Sequence, residues 1–395
     1  MEINRIKEHV KQIKAEAIHR RRYLHQHPEL SFQEYNTSAY IKNVLADAGM
    51  LFEEVANTGV LVKIEGTKSK SSSCVLLRAD IDALPIQELN GTDFDSVNAH
   101  VMHACGHDFH TANLLSVLKI LNQNRHEFSG TVLGIFQPAE EKIPGGAKLV
   151  LESDKLDSYA IKGVLGIHVT PQHQVGSVAI RSGKIMASSD EFFITIKGKG
   201  GHGAQPHLNI DPVVIASQLV VSLQQVVSRV ANPAMPSVLS IGKFIADGAT
   251  NVIPNEVYLE GTFRTMDEEW RERAISLIER QIKELPSLYG ATVDYKINRG
   301  YPSLTNDPQL TIAIIQSLRE YHGVEAVHES EIWLASEDFA YYTKVYPSVF
   351  YFIGIANAEL GIESELHTPT FQIDEDAFDL AIGGVTYATL QLLKS

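Results

Sequence analysis

Short, uninterrupted apolar runs alternate with helical patterns through the first part of the chain. None of these runs shows the polar–apolar alternation of a half-buried strand, so they predict strands buried on both faces. The runs are residues 59–66 (GVLVKIEG), 74–80 (CVLLRAD), 131–137 (TVLGIFQ) and 163–169 (GVLGIHV). Between the second and third run, Leu114, Val117, Leu118 and Leu121 recur at helical spacing, which predicts a helix beginning near His107. The pattern predicts an α/β fold whose mixed, mostly parallel sheet carries helices on both faces.

The pattern changes at about residue 182, where alternating strands and two long amphipathic helices follow one another. The order β-α-β-β-α-β is that of a ferredoxin-like split unit. Its predicted elements are strand 189–200, helix 211–230, strands 237–244 and 257–265, helix 267–286 and strand 291–297.

The α/β pattern resumes afterwards, with a helix near 308–321, a strand at 348–355 and a terminal helix from about 375. A chain of 395 residues is also longer than one ordinary domain. We therefore predict one α/β domain, made of residues 1–181 and 296–395, interrupted by an inserted α+β domain at 182–295.

Composition narrows the class of protein. With 34 basic and 48 acidic residues the formal charge is −14, so nucleic acid is not an expected partner. A hydrophobic content of 44% with 21% charged residues is typical of a soluble globular protein. No apolar stretch reaches the roughly 18 residues of a membrane span, and the first residues lack the apolar core of a signal peptide. We expect a cytoplasmic protein that does not bind membranes.

Two cysteines accompany 16 histidines, of which four fall between residues 100 and 110. Cys105 and His107 lie two residues apart at a predicted turn into a helix, and cysteine and histidine are preferred ligands of Zn²⁺. Two other interpretations stay open at this point: Cys105 is an inert packed cysteine, or it forms a disulfide with Cys74.

Adjacent carboxylates, Glu140 and Glu141, follow the predicted strand 131–137. Open α/β sheets bind ligands at the carboxyl ends of their strands, and paired carboxylates repel unless a cation balances them. If one glutamate binds a metal, its neighbour is placed to act as a general base. The alternative is a solvated acidic loop.

Further polar residues end other predicted strands or lie in loops. His168 ends an apolar run, His367 lies in a loop, and Asp80 and Asp82 follow strand 74–80. Taken singly, these residues are explained as a core histidine, a surface histidine and turn-capping or histidine-orienting carboxylates.

Taken together, five donors are available while Glu140 is left over. Four would close a structural zinc site, whereas a catalytic zinc takes three ligands and water. Five donors with an additional carboxylate that is not a ligand fit two metals that share a ligand and a bridging water. The donors are Cys105, His107, Glu141, His168 and His367.

Eight blocks of the sequence, in order, resemble those of the dinuclear-metal aminoacylase/carboxypeptidase family. The resemblance is to its amidohydrolase branch, which includes hippurate hydrolases, plant indole-acetyl-amino acid hydrolases and bacterial N-acyl-amino acid deacetylases. The blocks are RRRYLHQHPELSFQE (20–34), LLRADIDALPI (76–86), HACGHDFHTANLL (103–115), FQPAEEKIPGGAKLV (136–150), GIHV (166–169), GGHGAQPH (200–207), NVIPNEVYLEGTFRT (251–265) and ELHTP (365–369).

The resemblance implies roles for residues of the metal site. The five donors above would be the ligands of two divalent metal ions, and Glu140 would be the general base. Asp82 would be the aspartate that contacts a ligand without binding the metals itself. Related branches carry a metal-binding histidine where this chain has Asp80, and Cys105 would replace that ligand. A thiolate suits Zn²⁺, Ni²⁺ or Co²⁺ better than Mn²⁺.

The inserted segment resembles the family's lid and dimerisation domain, which implies a homodimer formed through that domain. His202 would help stabilise the oxyanion from the partner subunit, and Asn251 and Arg264 would bind the substrate's α-carboxylate. Alternatively, His202 is a loop histidine without a role, and Arg264 is a surface residue paired with Glu260 or Glu256.

We predict a metal-dependent amidohydrolase that cleaves the amide bond of N-acyl-L-amino acids. One alternative is a carboxypeptidase or dipeptidase of the same family, and another is a non-catalytic metal-binding homologue. His100, His103 and His110 have no role in this prediction.

Overall fold

The computed structural model describes residues 1–394, which form two compact units. One unit comprises 1–183, 305–331 and 338–394, and the other comprises 184–304 and 332–337. The α-helices are α1 (Ile3–Gln26), α2 (Tyr35–Asp47), α3 (His107–Gln123), α4 (Gly146–Leu151), α5 (Pro212–Gln225), α6 (Glu268–Leu288), α7 (Pro308–His322), α8 (Ala340–Thr343) and α9 (Ala377–Lys394). The strands are β1 (Leu51–Val55), β2 (Gly59–Glu65), β3 (Cys74–Asp80), β4 (Thr131–Gln137), β5 (Ile161–Gln174), β6 (Val178–Ile180), β7 (Gly183–Met186), β8 (Ser188–Lys197), β9 (Gly201–His202), β10 (Ser237–Ile245), β11 (Val252–Ile253), β12 (Glu256–Thr265), β13 (Thr292–Arg299), β14 (Leu304–Asn306), β15 (Val327–Glu329) and β16 (Ser348–Ala356).

The first unit is built on an eight-stranded sheet in the order β1-β2-β4-β3-β5-β16-β6-β15. Its centre is parallel, because β4, β3, β5 and β16 all run in the same direction. The pairs β1–β2, β2–β4 and β16–β6 are antiparallel. The predicted mixed, mostly parallel sheet is thereby confirmed.

Helices cover both faces of this sheet, which explains why its central strands lack alternation. Every residue of β3 and β16 is buried. On one face, Tyr351 of β16 shares a core with Phe109 of α3 and Phe378 of α9, whose rings stack with centroids 4.1 Å apart. On the other face, Phe350 packs against Phe339 at the start of α8, with ring centroids 5.1 Å apart.

The second unit contains an antiparallel sheet in the order β10-β12-β8-β13, packed against α5 and α6. The chain order β8-α5-β10-β12-α6-β13 is the split β-α-β-β-α-β arrangement. The sequence-based boundary between 295 and 296 falls inside β13, whose eight residues all pair with β8. Residues 332–337 also belong to this unit, although they come from the far part of the chain.

One helical stretch, Pro212–Val230, has the length and mean hydropathy (1.4) of a membrane span, and 28% of it is buried. It consists of α5 and a π-helical turn at Val226–Val230. Its Ile215, Ala216, Leu219 and Leu223 lie in the core of the second unit. These contacts account for its apolar character on one face.

Candidate metal centre

The candidate residues of the first unit lie at one edge of its sheet. β3, β4 and β5 are parallel neighbours, so the segments that follow β3 and β4 leave the sheet at the same edge. Asp82 follows β3, Glu140 and Glu141 follow β4, and His168 lies within β5. α3 begins at His107, after Gly106 in a left-handed conformation (φ 83°). A Cβ at Gly106 would lie 2.4 Å from Val169, so the turn requires glycine.

Cys105 lies at the centre of this group. Its Sγ is 3.3 Å from Nε2 of His168 and 3.2 Å from Nε2 of His367. His367 comes from a loop more than 260 residues away and has a left-handed backbone (φ 61°); its N–H donates to the carbonyl of Ala104 at 2.8 Å. Neither Cys105 nor Cys74 forms a disulfide.

Glu141 completes the group of donors. Its Oε1 lies 3.3 Å from Nε2 of His367 and 3.9 Å from Nε2 of His107. Ligands bound at 2.0–2.3 Å around one tetrahedral Zn²⁺ are about 3.5 Å apart, so the observed donor spacing fits such an ion. The structure thus brings together all five predicted donors, in the overlapping sets Cys105–His107–His168 and Cys105–Glu141–His367.

Two buried atoms in this group have no hydrogen-bond partner among residues 1–394. They are Nε2 of His107 and Oε1 of Glu141. Oε1 of Glu141 lies within ion-pair distance of both His107 and His367 without forming a hydrogen bond to either. Since an unpartnered buried polar atom is costly, both atoms are explained by a bound cation, and the residues present fit a metal centre.

Hydrogen bonds on the outer side of the histidines orient the rings. Nδ1 of His168 lies 2.7 Å from the carbonyl of Val169, so this nitrogen carries the proton and Nε2 presents a lone pair. Nδ1 of His107 lies 3.2 Å from Oδ1 of Asp82. Asp82 is itself fixed, because its Oδ2 accepts from the Ser31 hydroxyl (2.6 Å) and the Glu141 N–H (3.0 Å).

Asp80 contacts residues outside the set of five donors. Its carboxylate pairs with the buried guanidinium of Arg78 and with Nδ1 of His110 at 2.7 Å. Arg78 and His110 outweigh the effect of burial and hold the pKa of Asp80 well below its usual range. Nε2 of His110 accepts the Val169 N–H at 3.0 Å, which ties this network to β5.

Without a bound cation, the electrostatics of the group favour the protonated forms of His107 and Cys105. Burial lowers the pKa of His107, but Asp80, Asp82 and Glu141 outweigh burial and raise the pKa to about 10. Burial, together with Glu141 and Glu140, raises the pKa of the Cys105 thiol. Burial also lowers the pKa of His168, which therefore stays neutral.

Glu140 lies beside the donors and is buried. One of its carboxylate oxygens is within 4.8 Å of ligand atoms of both His107 and Glu141. The Asp338 N–H approaches it at 3.4 Å. It therefore lies beside the point at which His107 and Glu141 would hold a cation.

The other three predicted residues belong to the second unit. β9 and β11 pair His202 with Val252, which places His202 next to Asn251, and both side chains are exposed. Nδ1 of His202 accepts the Ala204 N–H at 3.0 Å. Arg264, on β12, donates to the hydroxyls of Ser336 (3.1 Å) and Thr262 (3.3 Å).

Glu260 is paired with Lys243 at 2.8 Å, so it is not the partner of Arg264. Among residues 1–394, the guanidinium of Arg264 thus contacts hydroxyl groups rather than a carboxylate within salt-bridge distance. Burial lowers its pKa.

The structure also shows residues that the sequence analysis did not assign. His103 is buried with both ring nitrogens unpartnered among the described residues, while His100 is exposed. Ser31 and Glu34 contact the segments that carry Asp82 and Glu140, yet nothing in their spacing reveals it. Both lie in the block at 20–34.

A mostly parallel α/β sheet with cysteine, histidine and glutamate converging at its carboxyl edge is an arrangement suited to binding metal ions. The sequence profile described as peptidase family M20/M25/M40 matches residues 76–390. The chain therefore belongs to this family and is a hydrolase.

Two relatives and one solved structure illustrate the similarity. An N-acyl-L-amino acid amidohydrolase from Geobacillus stearothermophilus is 42% identical over 76% of this chain and 80% of its own length. Thermostable carboxypeptidase 1 from Saccharolobus solfataricus is 36% identical over 98% of each chain. A dinuclear metal-binding peptidase of family M20 from Bacillus subtilis superimposes with a TM-score of 0.81 at 34% identity, over 97% of this chain and 99% of that chain.

Proposed function

We propose that this protein hydrolyses the amide bond of N-acyl-L-amino acids, using two divalent metal ions and Glu140 as general base. The metal ligands are Cys105, His107, Glu141, His168 and His367. Zn²⁺ is the expected metal because thiolate and imidazole are its preferred donors, and Ni²⁺, Co²⁺ and Mn²⁺ are the alternatives.

One observation carries the proposal: the two unpartnered buried donor atoms, on His107 and Glu141, converge on the same point as Cys105, with Glu140 alongside. A closed structural site has no use for an additional buried carboxylate. This argues against a non-catalytic metal-binding homologue.

When bound, the ions would supply Lewis-acid activation of water and of the scissile carbonyl. The carboxylate of Glu140 accepts the proton of the attacking water and passes it to the leaving amine nitrogen. Asp82 keeps the His107 ring in place, and the Val169 carbonyl does the same for His168. His202, supplied by the partner subunit, donates a hydrogen bond to the developing oxyanion.

Arg264 and Asn251 bind the substrate's α-carboxylate in this proposal. The planar guanidinium offers two parallel donors to a carboxylate, and hydroxyl partners leave its charge uncompensated at short range. A positive group is needed here because the protein as a whole is acidic.

Carboxypeptidase or dipeptidase activity is the second candidate, supported by the 36% identity to a thermostable carboxypeptidase over 98% of the chain. Both activities break an amide bond next to a free carboxylate. A screen of amine release from acetyl-, benzoyl- and longer acyl-amino acids, beside dipeptides, with Zn²⁺, Co²⁺, Ni²⁺ or Mn²⁺ added, separates them.

Glu140→Gln tests the assignment of the base. Its amide lacks a basic carboxylate, so we expect turnover to fall at least about 10³-fold while metal content stays unchanged. Glu152→Gln, an exposed glutamate after α4, is the matched control and should behave as wild type. Near-normal hydrolysis by metal-loaded Glu140→Gln would show that another group is the base.

We further propose a cytoplasmic homodimer, without membrane or nucleic-acid partners, in which the inserted unit is both lid and interface. β10 is an edge strand, and Val214 and Val221 of the neighbouring helix are 53% and 71% exposed. Sedimentation at micromolar concentration should show a dimer. A fully active monomer would rule out both this interface and a role for the partner's His202.

A further inference from the structure

We propose that Glu34 is a positioning residue for the general base. Its carboxylate accepts the N–H of Ala139 and thereby fixes the backbone turn that orients the side chain of Glu140. This inference rests on the proposed function, because it presupposes that Glu140 is the base. Glu34 comes from the N-terminal part of the chain and belongs to neither the ligand set nor the residues that orient the histidines.

Glu34 is a fully buried carboxylate with three donors around it. Its Oε1 accepts the N–H groups of Ala139 (2.8 Å) and Phe32 (2.9 Å). Its Oε2 accepts the hydroxyl of Thr58 at 2.7 Å. Both oxygens are therefore used, and the carboxylate orientation is fixed from two sides.

The backbone that Glu34 holds is unfavourable without support. Ala139 has a left-handed conformation (φ 53°), which a Cβ disfavours, and Phe32 has one as well (φ 67°). The Ala139 carbonyl accepts the N–H of Gly146 at 3.1 Å. Ala139 is thus anchored through both its N–H and its carbonyl, and Glu34 supplies the first anchor.

Glu140 lies between two independent anchors. Ala139 is held by Glu34, while the Glu141 N–H is held by Oδ2 of Asp82 at 3.0 Å. Loss of the first anchor lets Ala139 relax towards ordinary backbone angles and moves Glu140. Because the second anchor stays, Glu141 remains available to the metals. The structure therefore separates the position of the base from the integrity of the metal centre.

The test compares Glu34→Ala with Glu34→Gln in the full-length, metal-loaded enzyme. For Glu34→Ala we expect kcat to fall about 10- to 100-fold, KM to change less than about threefold and metal content to stay at the wild-type value. In Glu34→Gln the amide oxygen still accepts both N–H groups, and Thr58 accepts from the amide nitrogen. Its kcat should return to within about threefold of wild type.

Glu29→Ala is the matched control, because Glu29 lies in the same segment and accepts the N–H groups of Asn36 (3.1 Å) and Thr37 (2.8 Å) at the start of α2. It should lower thermal stability and leave the kcat of the folded enzyme unchanged. If Glu34→Ala does not fold, Thr58→Val serves instead: it frees one side of the Glu34 carboxylate and should lower kcat several-fold.

The proposal is overturned if Glu34→Ala has wild-type kcat, if its loss of activity only follows a loss of metal, or if Glu29→Ala or Glu34→Gln lowers kcat equally. An unchanged kcat for Thr58→Val would overturn it in the second design. Glu140→Gln is assayed in parallel: full activity there would refute Glu140 as the general base, which is the premise of this proposal. Inactive Glu140→Gln beside normal Glu34→Ala would refute the positioning role alone.

Discussion

His107 and Asp108 are adjacent at the start of α3, yet they belong to two buried polar networks of opposite character. His107 faces the candidate metal centre. Asp108 faces a network in which its Oδ2 contacts Arg21 Nε at 3.0 Å and His25 Nδ1 at 2.9 Å. His25 Nε2 also contacts Glu88 at 3.0 Å. Both networks combine carboxylates with histidine. Asp108, Arg21, His25 and Glu88 are buried, whereas the metal centre includes the exposed His367.

The difference lies in the source of the positive charge. Around Asp108 the protein supplies Arg21, and Arg21 and His25 outweigh burial and lower the pKa of Asp108. Around Glu141 and His107 the nearest ion-pair partners are histidines and carboxylates, and one atom of each residue is unpartnered in the described chain. An arginine among the partners thus marks a structural network, whereas unpartnered histidine and carboxylate atoms mark a site that fits a metal.

The largest expected effect concerns the metal centre. His107→Ala should reduce bound metal below two ions per chain and lower kcat/KM at least about 10³-fold, because it removes a ligand. Metal analysis beside amine-release kinetics measures both. His100→Ala, an exposed histidine of the same stretch, should match wild type. Full metal content in His107→Ala would contradict the ligand assignment.

The opposite result is expected for the arginine network. Arg21→Met leaves the buried Asp108 with His25 as its remaining partner and should lower the free energy of unfolding by about 3–5 kcal/mol. Urea unfolding measures this loss. The folded, metal-loaded variant should keep kcat within about threefold of wild type. A loss of metal as large as that of His107→Ala would abolish the distinction between the two networks.

Asp82→Asn should have an intermediate effect, because Asp82 touches a ligand without being one. We expect metal affinity to fall about 10- to 100-fold, as is usual when a group that orients a ligand is changed. Competition with a chelator of known affinity measures the change. Asp47→Asn, which changes an exposed aspartate, is the control. Equal metal affinities of the two variants would show that Asp82 does not support the metal centre.

The smallest expected effect is the release of protons. Below pH 10 the metal-free His107 is protonated, because its pKa is raised to about 10, and the Cys105 thiol also has a raised pKa. Metals bind the deprotonated forms, so loading at pH 7.5 should release about two protons per chain, and affinity should rise with pH. Calorimetry in two buffers of different ionisation enthalpy gives this number. The absence of proton release would contradict the protonated state of metal-free His107 and Cys105.

Sequence patterns predicted the sheet well, because strands buried on both faces leave long apolar runs such as 131–137. Glu141 and His168 lie after or within such strands, and Cys105, His107 and His367 lie in the blocks HACGHDFHTANLL and ELHTP. The resemblance of these blocks to the family therefore allowed us to predict that the five donors converge. Asp108 and Glu34 could not be assigned in this way. Their partners lie 87 and 105 residues away, and long-range contacts of carboxylates leave no periodic signal. The sequence also did not reveal where the last strand of the inserted unit ends, because β13 continues past residue 295.

Anomalous diffraction at the zinc absorption edge from zinc-loaded crystals would locate the metal ions. We expect two peaks, both among Cys105, His107, Glu141, His168 and His367, and none at the network of Arg21 and Asp108. A single peak enclosed by four ligands, or zinc bound outside these five residues, would contradict this expectation.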